Sequence, residues 1–251
     1  MKNKDGIFKF KYFSVRHDLS SMKVGVDGVL VGAWANPEGK RILDVGTGCG
    51  IIALMMAQRN PEAEIVAIDV DEPSVREAEL NFRESPWGSR LKSVLCSYTD
   101  IKGESGPVKG KFDLIVSNPP YFDAGVRELD DSRKIARHQG NLSPDILLSE
   151  APLLLSPGGR VVMVVPDMIG ADVSAKAMRS GMLLSSALRV KDHPGAQVKR
   201  VLMQFSLRDT DDNNPHIGFD EGEIPVLTMF TTPGIPTDEY RRICKDFYLR
   251  F

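Results

Sequence analysis

The chain is poor in the residues that announce chemistry by themselves. Cysteine occurs three times, at Cys49, Cys96 and Cys244, far apart, odd in number and without the spacing of a metal site. That pattern excludes a disulfide framework and a cysteine-rich zinc module, and it suits a reducing cytoplasm. The four histidines form no ligand cluster in sequence, so no metal is expected. Long apolar runs are missing, which excludes a spanning helix. The opening Met1-Lys2-Asn3-Lys4-Asp5 leads into no signal-peptide core. A cytoplasmic, membrane-free protein is the expectation. Repeats and low-complexity tracts are absent. A monomer is expected. Charge of one sign is missing too: a net charge of −2 does not announce a nucleic-acid binder.

The distribution of charge says more than its sum. Lys2, Lys4, Lys9, Lys11, Arg16 and Lys23 make the first forty residues basic. Arg127, Arg133, Lys134, Arg137 and His138 form a second group, and Arg189, Lys191, His193, Lys199 and Arg200 a third. The third reads as a solvated face. An acidic, turn-rich segment from Asp209 to Glu223 reads as a solvated loop.

At 251 residues the chain can bury a substantial core in one domain. Apolar runs predict strands at 41–46, 64–69, 91–97, 112–118, 159–166, 186–192 and 200–208. Helices are predicted at 50–59, 73–84, 143–155 and 168–180, two of them opened by Asp71-Glu72-Pro73-Ser74 and Ser143-Pro144-Asp145. Pro157-Gly158-Gly159 reads as the break between a helix and the strand after it. Such alternation predicts an α/β fold, a mostly parallel sheet with helices on both faces. The connection 193–199 is too short for a crossover helix, so the last strand should run antiparallel. Ligands of such sheets bind at the carboxyl ends of the strands, where Asp44, Asp69, Asp100 and Asn118 fall.

Two motifs carry the chemistry. The run Phe112-Asp113-Leu114-Ile115-Val116-Ser117 ends in Asn118-Pro119-Pro120-Tyr121. Two prolines fix φ and supply no N–H, so an amide oxygen and a carbonyl can converge on one planar –NH2 group. Tyr121 adds a face on which a ring can stack. The plainer reading is strand-to-turn punctuation. The second motif is Asp44-Val45-Gly46-Thr47-Gly48-Cys49-Gly50 between an apolar strand and an apolar helix. Its glycines allow a sharp turn and a close ligand approach. Ile51 stands where the dinucleotide fingerprint needs a further glycine, so the NAD pattern is broken. A carboxylate at Asp44 repels a pyrophosphate but suits a cationic amino group. Asp69 ends the next strand, about twenty residues on, where an acid can accept from ribose hydroxyls.

Together these motifs resemble the class I S-adenosylmethionine-dependent methyltransferases of the Asn-Pro-Pro-Tyr amino-methylating branch. Further blocks sharpen the resemblance: Phe10 to Val15, Met22 to Trp34, Ser85-Pro86-Trp87, Ala136-Arg137-His138 and the closing Asp246 to Phe251. Over nearly the whole chain it is similar to the bacterial tRNA1(Val) adenine-37 N6-methyltransferase family. It departs at Val26, where that family carries threonine, so no ligand role is carried to this position.

The resemblance implies a Rossmann-like class I methyltransferase with a seven-stranded sheet whose last strand is antiparallel. Residues 1–40 would then extend over the cofactor site, 41–208 form the catalytic core and 209–251 append to it. It implies S-adenosylmethionine as cofactor and tRNA as partner. Cofactor contacts fall on Lys23, Asp44, Gly46, Gly48, Gly50, Asp69, Asp100 and Asn118. Lys23 is the counter-charge for a carboxylate, and Asp100 meets the cofactor's adenine unless it merely caps a turn. Asn118, Pro119, Pro120 and Tyr121 form the catalytic turn, with Tyr121 stacking on a base that has left its anticodon-loop stack. Arg133, Lys134, Arg137 and His138 border the substrate mouth, where phosphate contacts supply affinity and salt dependence. Rival readings are a protein glutamine methyltransferase of the release-factor type, a DNA adenine methyltransferase and a non-catalytic module that keeps the cofactor fold. Only about forty residues precede the glycine loop, too few for the helical amino-terminal domain of the first. No insertion is large enough to read duplex DNA, as the second requires. The third would be favoured by loss of Asn118 or of the acids, and all are present.

Overall fold

The computed structural model describes residues 6–20, 22–101, 106–120, 142–208 and 217–250. A small antiparallel hairpin, β1 (Ile7–Lys9) and β2 (Ser14–Arg16), precedes helix α1 (Val26–Trp34). Then follow β3 (Arg41–Val45), α2 (Ile51–Arg59), β4 (Glu64–Asp69), α3 (Glu72–Glu84), β5 (Leu91–Leu95) and β6 (Phe112–Ser117). The second half contains α4 (Pro144–Leu154), β7 (Leu155–Pro166), α5 (Gly170–Arg179), β8 (Met182–Lys191) and β9 (Val198–Leu207). The chain closes with β10 (Val226–Thr228), a short hairpin of β11 (Phe230–Thr232) and β12 (Ile235–Pro236), and α6 (Asp238–Cys244).

The main sheet runs β10-β8-β9-β7-β6-β3-β4-β5. Strand β9 is antiparallel to both neighbours, as the short connection before it requires, and every other pairing is parallel. The seven expected strands are all present. An eighth, β10, adds to the edge beside β8 from the segment expected to be an appendage. Residues after it stay on the core: Tyr240, Cys244 and Phe247 are buried, and the Lys11 amide donates to the Phe247 carbonyl.

Alternation along the strands splits the interior into two layers. Ile42, Val162 and Val164 point to the α1–α2–α3 side, whereas Leu43, Val45, Val161, Met163 and Val165 point to the α4–α5 side. The two helix starts foreseen from their acids and prolines are present, and each is capped by a side chain. Asp71 accepts from the Ser74 amide and Ser143 from the Ile146 amide. Pro157-Gly158-Gly159 is not the break it was expected to be. Leu155 already pairs with Phe112, and the glycines form a bulge inside β7 where Ser156 Oγ donates to the Phe112 carbonyl. Among the described residues no helix is long and apolar enough to cross a membrane.

Candidate active site

The turn after β3 owes its shape to its glycines. Gly46, Gly48 and Gly50 all have positive φ, at 69°, 53° and 83°. A methyl group at Gly50 would sit 2.5 Å from the Phe82 ring, so the start of α2 can approach α3 only without a side chain there. At Gly48 an added Cβ would meet nothing within 4 Å, which means that this backbone faces open space. The Gly46 and Thr47 amides both donate to the Ile68 carbonyl, and the Gly48 amide donates to Asp69 Oδ2 at 2.9 Å.

The two acids of the sequence motif have different fates. Asp44 is fully buried beneath the loop, where its Oδ2 accepts from Thr47 Oγ1 (2.6 Å) and the Ala53 amide (3.1 Å). It does not line the cavity, which corrects the expectation that it meets a cationic amino group: its Oδ2 holds the loop to α2, and its Oδ1 is buried without a partner among the described residues. Burial pushes its carboxyl up to about 7, against the pull of the Thr47 and Ala53 hydrogen bonds. Between about pH 4 and 7 the folded chain therefore keeps a proton that the unfolded chain has released. Stability should fall as pH rises through that window, by an amount on the order of 4 kcal/mol from this group. Asp44→Asn keeps an acceptor for Thr47 and Ala53 and has no charge to bury. Thermal melts from pH 4 to 8 should show a shallower decline for this variant than for the parent. Equal slopes would mean that Asp44 does not titrate there.

Asp69 does reach the ligand space. The carboxyl ends of β3, β4, β5 and β6 and the start of α1 enclose a cavity of about 350 Å³, within the usual size for small-molecule sites. Its walls include Lys23, Gly25, Asp27 and Gly28 from the amino-terminal segment, the loop Gly46–Thr47–Gly48, Asp69, Cys96–Ser97–Tyr98, Asn118, Pro120 and Arg200. Ser117 Oγ donates to the Val45 carbonyl, which ties the Asn118 turn to the glycine loop.

Other expected contacts stand apart. Asp100 is exposed, accepts from Thr99 Oγ1 and is not in the cavity wall, which Cys96 to Tyr98 form in its place. Pro119 is buried and Gly50 serves as the helix N-cap, neither of them lining the cavity. Tyr121, Arg133, Lys134, Arg137 and His138 lie outside the described residues.

Two polar residues of α3 matter that the sequence reading passed over. Glu77, 1% exposed, accepts from the amides of Asp18, Leu19 and Ser20. Asn81, one helical turn on, accepts from the Arg16 amide and donates to the carbonyls of Arg16 and Cys49. The amino-terminal segment is thereby strapped to α3 and the glycine loop just before it forms the cavity wall. Charged residues spaced through an amphipathic helix look solvated in sequence. Only the fold reveals that this pair faces inward.

The third basic group is likewise not a solvated face throughout. The Arg189 side chain is 11% exposed and forks onto Asp167, and that of Arg200 is 17% exposed with Nε 2.7 Å from Asp27 Oδ1. Lys199, paired with Asp192, and His193 are the exposed members.

The sequence profile of the methyltransferase small domain family matches residues 27–180. Over 246 residues the chain is 39% identical to the tRNA1(Val) (adenine(37)-N6)-methyltransferase of Serratia proteamaculans (strain 568), covering 97% of this chain and 90% of that protein. Its identity to the enzyme of the same name from Bacteroides fragilis is also 39%, over 97% and 98% of the two chains. The crystal structure of a predicted O-methyltransferase from Agrobacterium tumefaciens superposes with a TM-score of 0.63. It covers 88% of this chain and 96% of its own at 15% identity, a likeness of fold alone.

Proposed function

The chain belongs to the tRNA1(Val) (adenine(37)-N6)-methyltransferases within the methyltransferase small domain family, and from that membership we propose that it methylates N6 of an adenine in tRNA, A37 of tRNA1(Val), using S-adenosylmethionine. The observation that carries the reading is the shared cavity, in which the glycine loop, Asp69 and Asn118 line one space. The residues present fit the cofactor. The open side of Gly48 leaves room for a close ligand, and Asp69, with one bond to each oxygen, keeps lone pairs for ribose hydroxyls. Lys23 supplies a counter-charge on the facing wall.

When bound, S-adenosylmethionine supplies an electrophilic methyl group on a good neutral leaving group. The chain's own part is to prepare a poor nucleophile, since the lone pair of an adenine amine is delocalised into the ring. Asn118 Oδ1, in the cavity wall, accepts one of its N–H bonds, and the Pro119 carbonyl accepts the other once the turn brings it out of its buried position; together they favour a pyramidal nitrogen. Their negative ends then face the charge that develops on that nitrogen. Alignment of amine and methyl contributes the rest through proximity. No side chain need act as base, because the nitrogen becomes acidic once it is alkylated. Tyr121 stacks on the target base, and Arg133, Lys134, Arg137 and His138 hold RNA phosphates beside it.

The test is a methyl-release assay on total tRNA, a release factor and duplex DNA, followed by nucleoside mass spectrometry of the methylated RNA. N6-methyladenosine from tRNA alone is the expected product. Methyl on a protein glutamine, on a ring nitrogen or on a ribose oxygen would overturn the reading.

A further inference from the structure

Arg200 sits where a solvated cation was expected and is nearly enclosed. It lies on β9 opposite Pro166 of β7, at the edge of the sheet where the cavity opens. Its Nε meets Asp27 in the first turn of α1, while its Nη1 is buried and finds no acceptor among the described residues. A guanidinium carries five donors in a rigid fork matched to anionic oxygens. Asp27 restrains this fork from one side, and donors remain unspent beside the cavity. Nη1 itself is walled off from water, so an anion in the cavity would meet the part of the guanidinium side chain that stays accessible, 17% of it.

The strand order says which anion. From β4 the crevice passes Asp69, then the glycine loop after β3, then Asn118 after β6, and reaches Arg200 only beyond β7. Arg200 therefore lies on the side of Asn118 away from the ribose acid, roughly 10 Å past it at two strand spacings. That is about the reach from an adenine's amine edge to the phosphates of its own nucleotide. Lys23, on the amino-terminal wall, is left for the cofactor's carboxylate. We propose that Arg200, oriented by Asp27, binds a non-bridging phosphate oxygen of the nucleotide whose base is methylated. The proposal rests on the reading of the protein as a tRNA adenine methyltransferase. It assigns to one enclosed arginine the task of fixing the flipped nucleotide's backbone while Asn118 holds its amine.

The experiment compares the parent with Arg200→Gln and Arg200→Lys, measuring S-adenosylhomocysteine affinity by calorimetry and the tRNA KM and kcat over a range of salt. Arg200→Gln should bind the cofactor product within about twofold of the parent and raise the tRNA KM about tenfold. Its plot of log KM against log salt should lose about 0.7 of slope, one single-stranded phosphate contact. Arg200→Lys keeps the charge, and should keep the slope while losing a few-fold in KM because the fork is gone. A stem-loop with a neutral methylphosphonate beside the target adenine should bind the parent about tenfold more weakly than the natural stem-loop, and bind Arg200→Gln no differently. An unchanged KM and slope in Arg200→Gln would overturn the proposal, as would a loss of cofactor affinity equal to the loss in KM. If the glutamine variant does not fold, parent-like KM in Arg200→Lys and indifference of the parent to the methylphosphonate overturn it instead. A parent that methylates no tRNA adenine removes the underlying reading. A parent that does so, beside variants that behave like it, removes this proposal alone.

Discussion

Asn118→Ala should bind S-adenosylmethionine like the parent and lose methyl transfer by about a hundredfold or more. The side chain stands at the end of β6, next to Ser117, whose hydroxyl is anchored on the Val45 carbonyl, so truncation removes an amide without removing the scaffold. What is lost is one preorganised acceptor aimed at a developing positive charge, and such groups typically contribute two to three powers of ten. Because the effect belongs to the transition state, kcat should fall and the tRNA KM should change little. Single-turnover methylation with saturating cofactor measures this directly. A variant that lost cofactor affinity and kept its rate at saturation would move Asn118 out of the chemistry and into the cofactor site.

The layered α/β architecture was legible because its signals are local. Strands β3 and β6 are short runs of apolar residues buried on both faces, and helices α3 and α4 start on their own side-chain caps. The antiparallel β9 followed from a connection too short to cross over. Elements made by long-range contact were not legible. Helix α1 has six consecutive buried residues, Gly28 to Ala33, because α2, α6 and the sheet surround it, but its two glycines and lack of an N-cap side chain hide it in sequence. Strand β10 is three residues long and exists only because β8 offers a free edge. The start of β8 was missed for the same reason: Met182 to Ser185 are drawn into the sheet by β9.

The site was legible where function constrains the backbone. Gly46 and Gly48 marked a turn that only glycine completes, and Asn118 marked a strand end aimed at the crevice. The acids were harder, because a sequence shows a carboxylate but not which way it faces. Asp44 and Asp69 end neighbouring strands, yet Asp44 turns under the loop and Asp69 over it. Asp100 lies on an exposed 3-10 turn rather than in the wall. Arg200 reads as surface in sequence because its partner Asp27 lies far beyond the window of roughly 11–18 residues over which periodicity carries information.

Asp69→Ala should weaken binding of S-adenosylhomocysteine about ten- to hundredfold, the effect of removing one charged acceptor worth roughly 1.5–3 kcal/mol. The carboxylate has two tasks. Its Oδ2 takes the Gly48 amide and its Oδ1 the Asp71 amide, so it shapes the glycine loop and the start of α3 while facing the cavity. Burial raises its pKa above the ordinary carboxylate value, against the pull of the Asp71 and Gly48 amides. The tasks separate in a cycle with a ligand lacking the ribose 2′-hydroxyl. If Asp69 accepts from that hydroxyl, the parent should lose about tenfold on going to the deoxy ligand, and Asp69→Ala should lose nothing further. If the carboxylate only shapes the loop, both proteins should lose the same factor, and the energies should add. Unchanged calorimetric affinity in Asp69→Ala would take this residue out of the cofactor site altogether. A full loss that persists equally for both ligands would leave it there as a brace for Gly48 and not as the ribose acceptor.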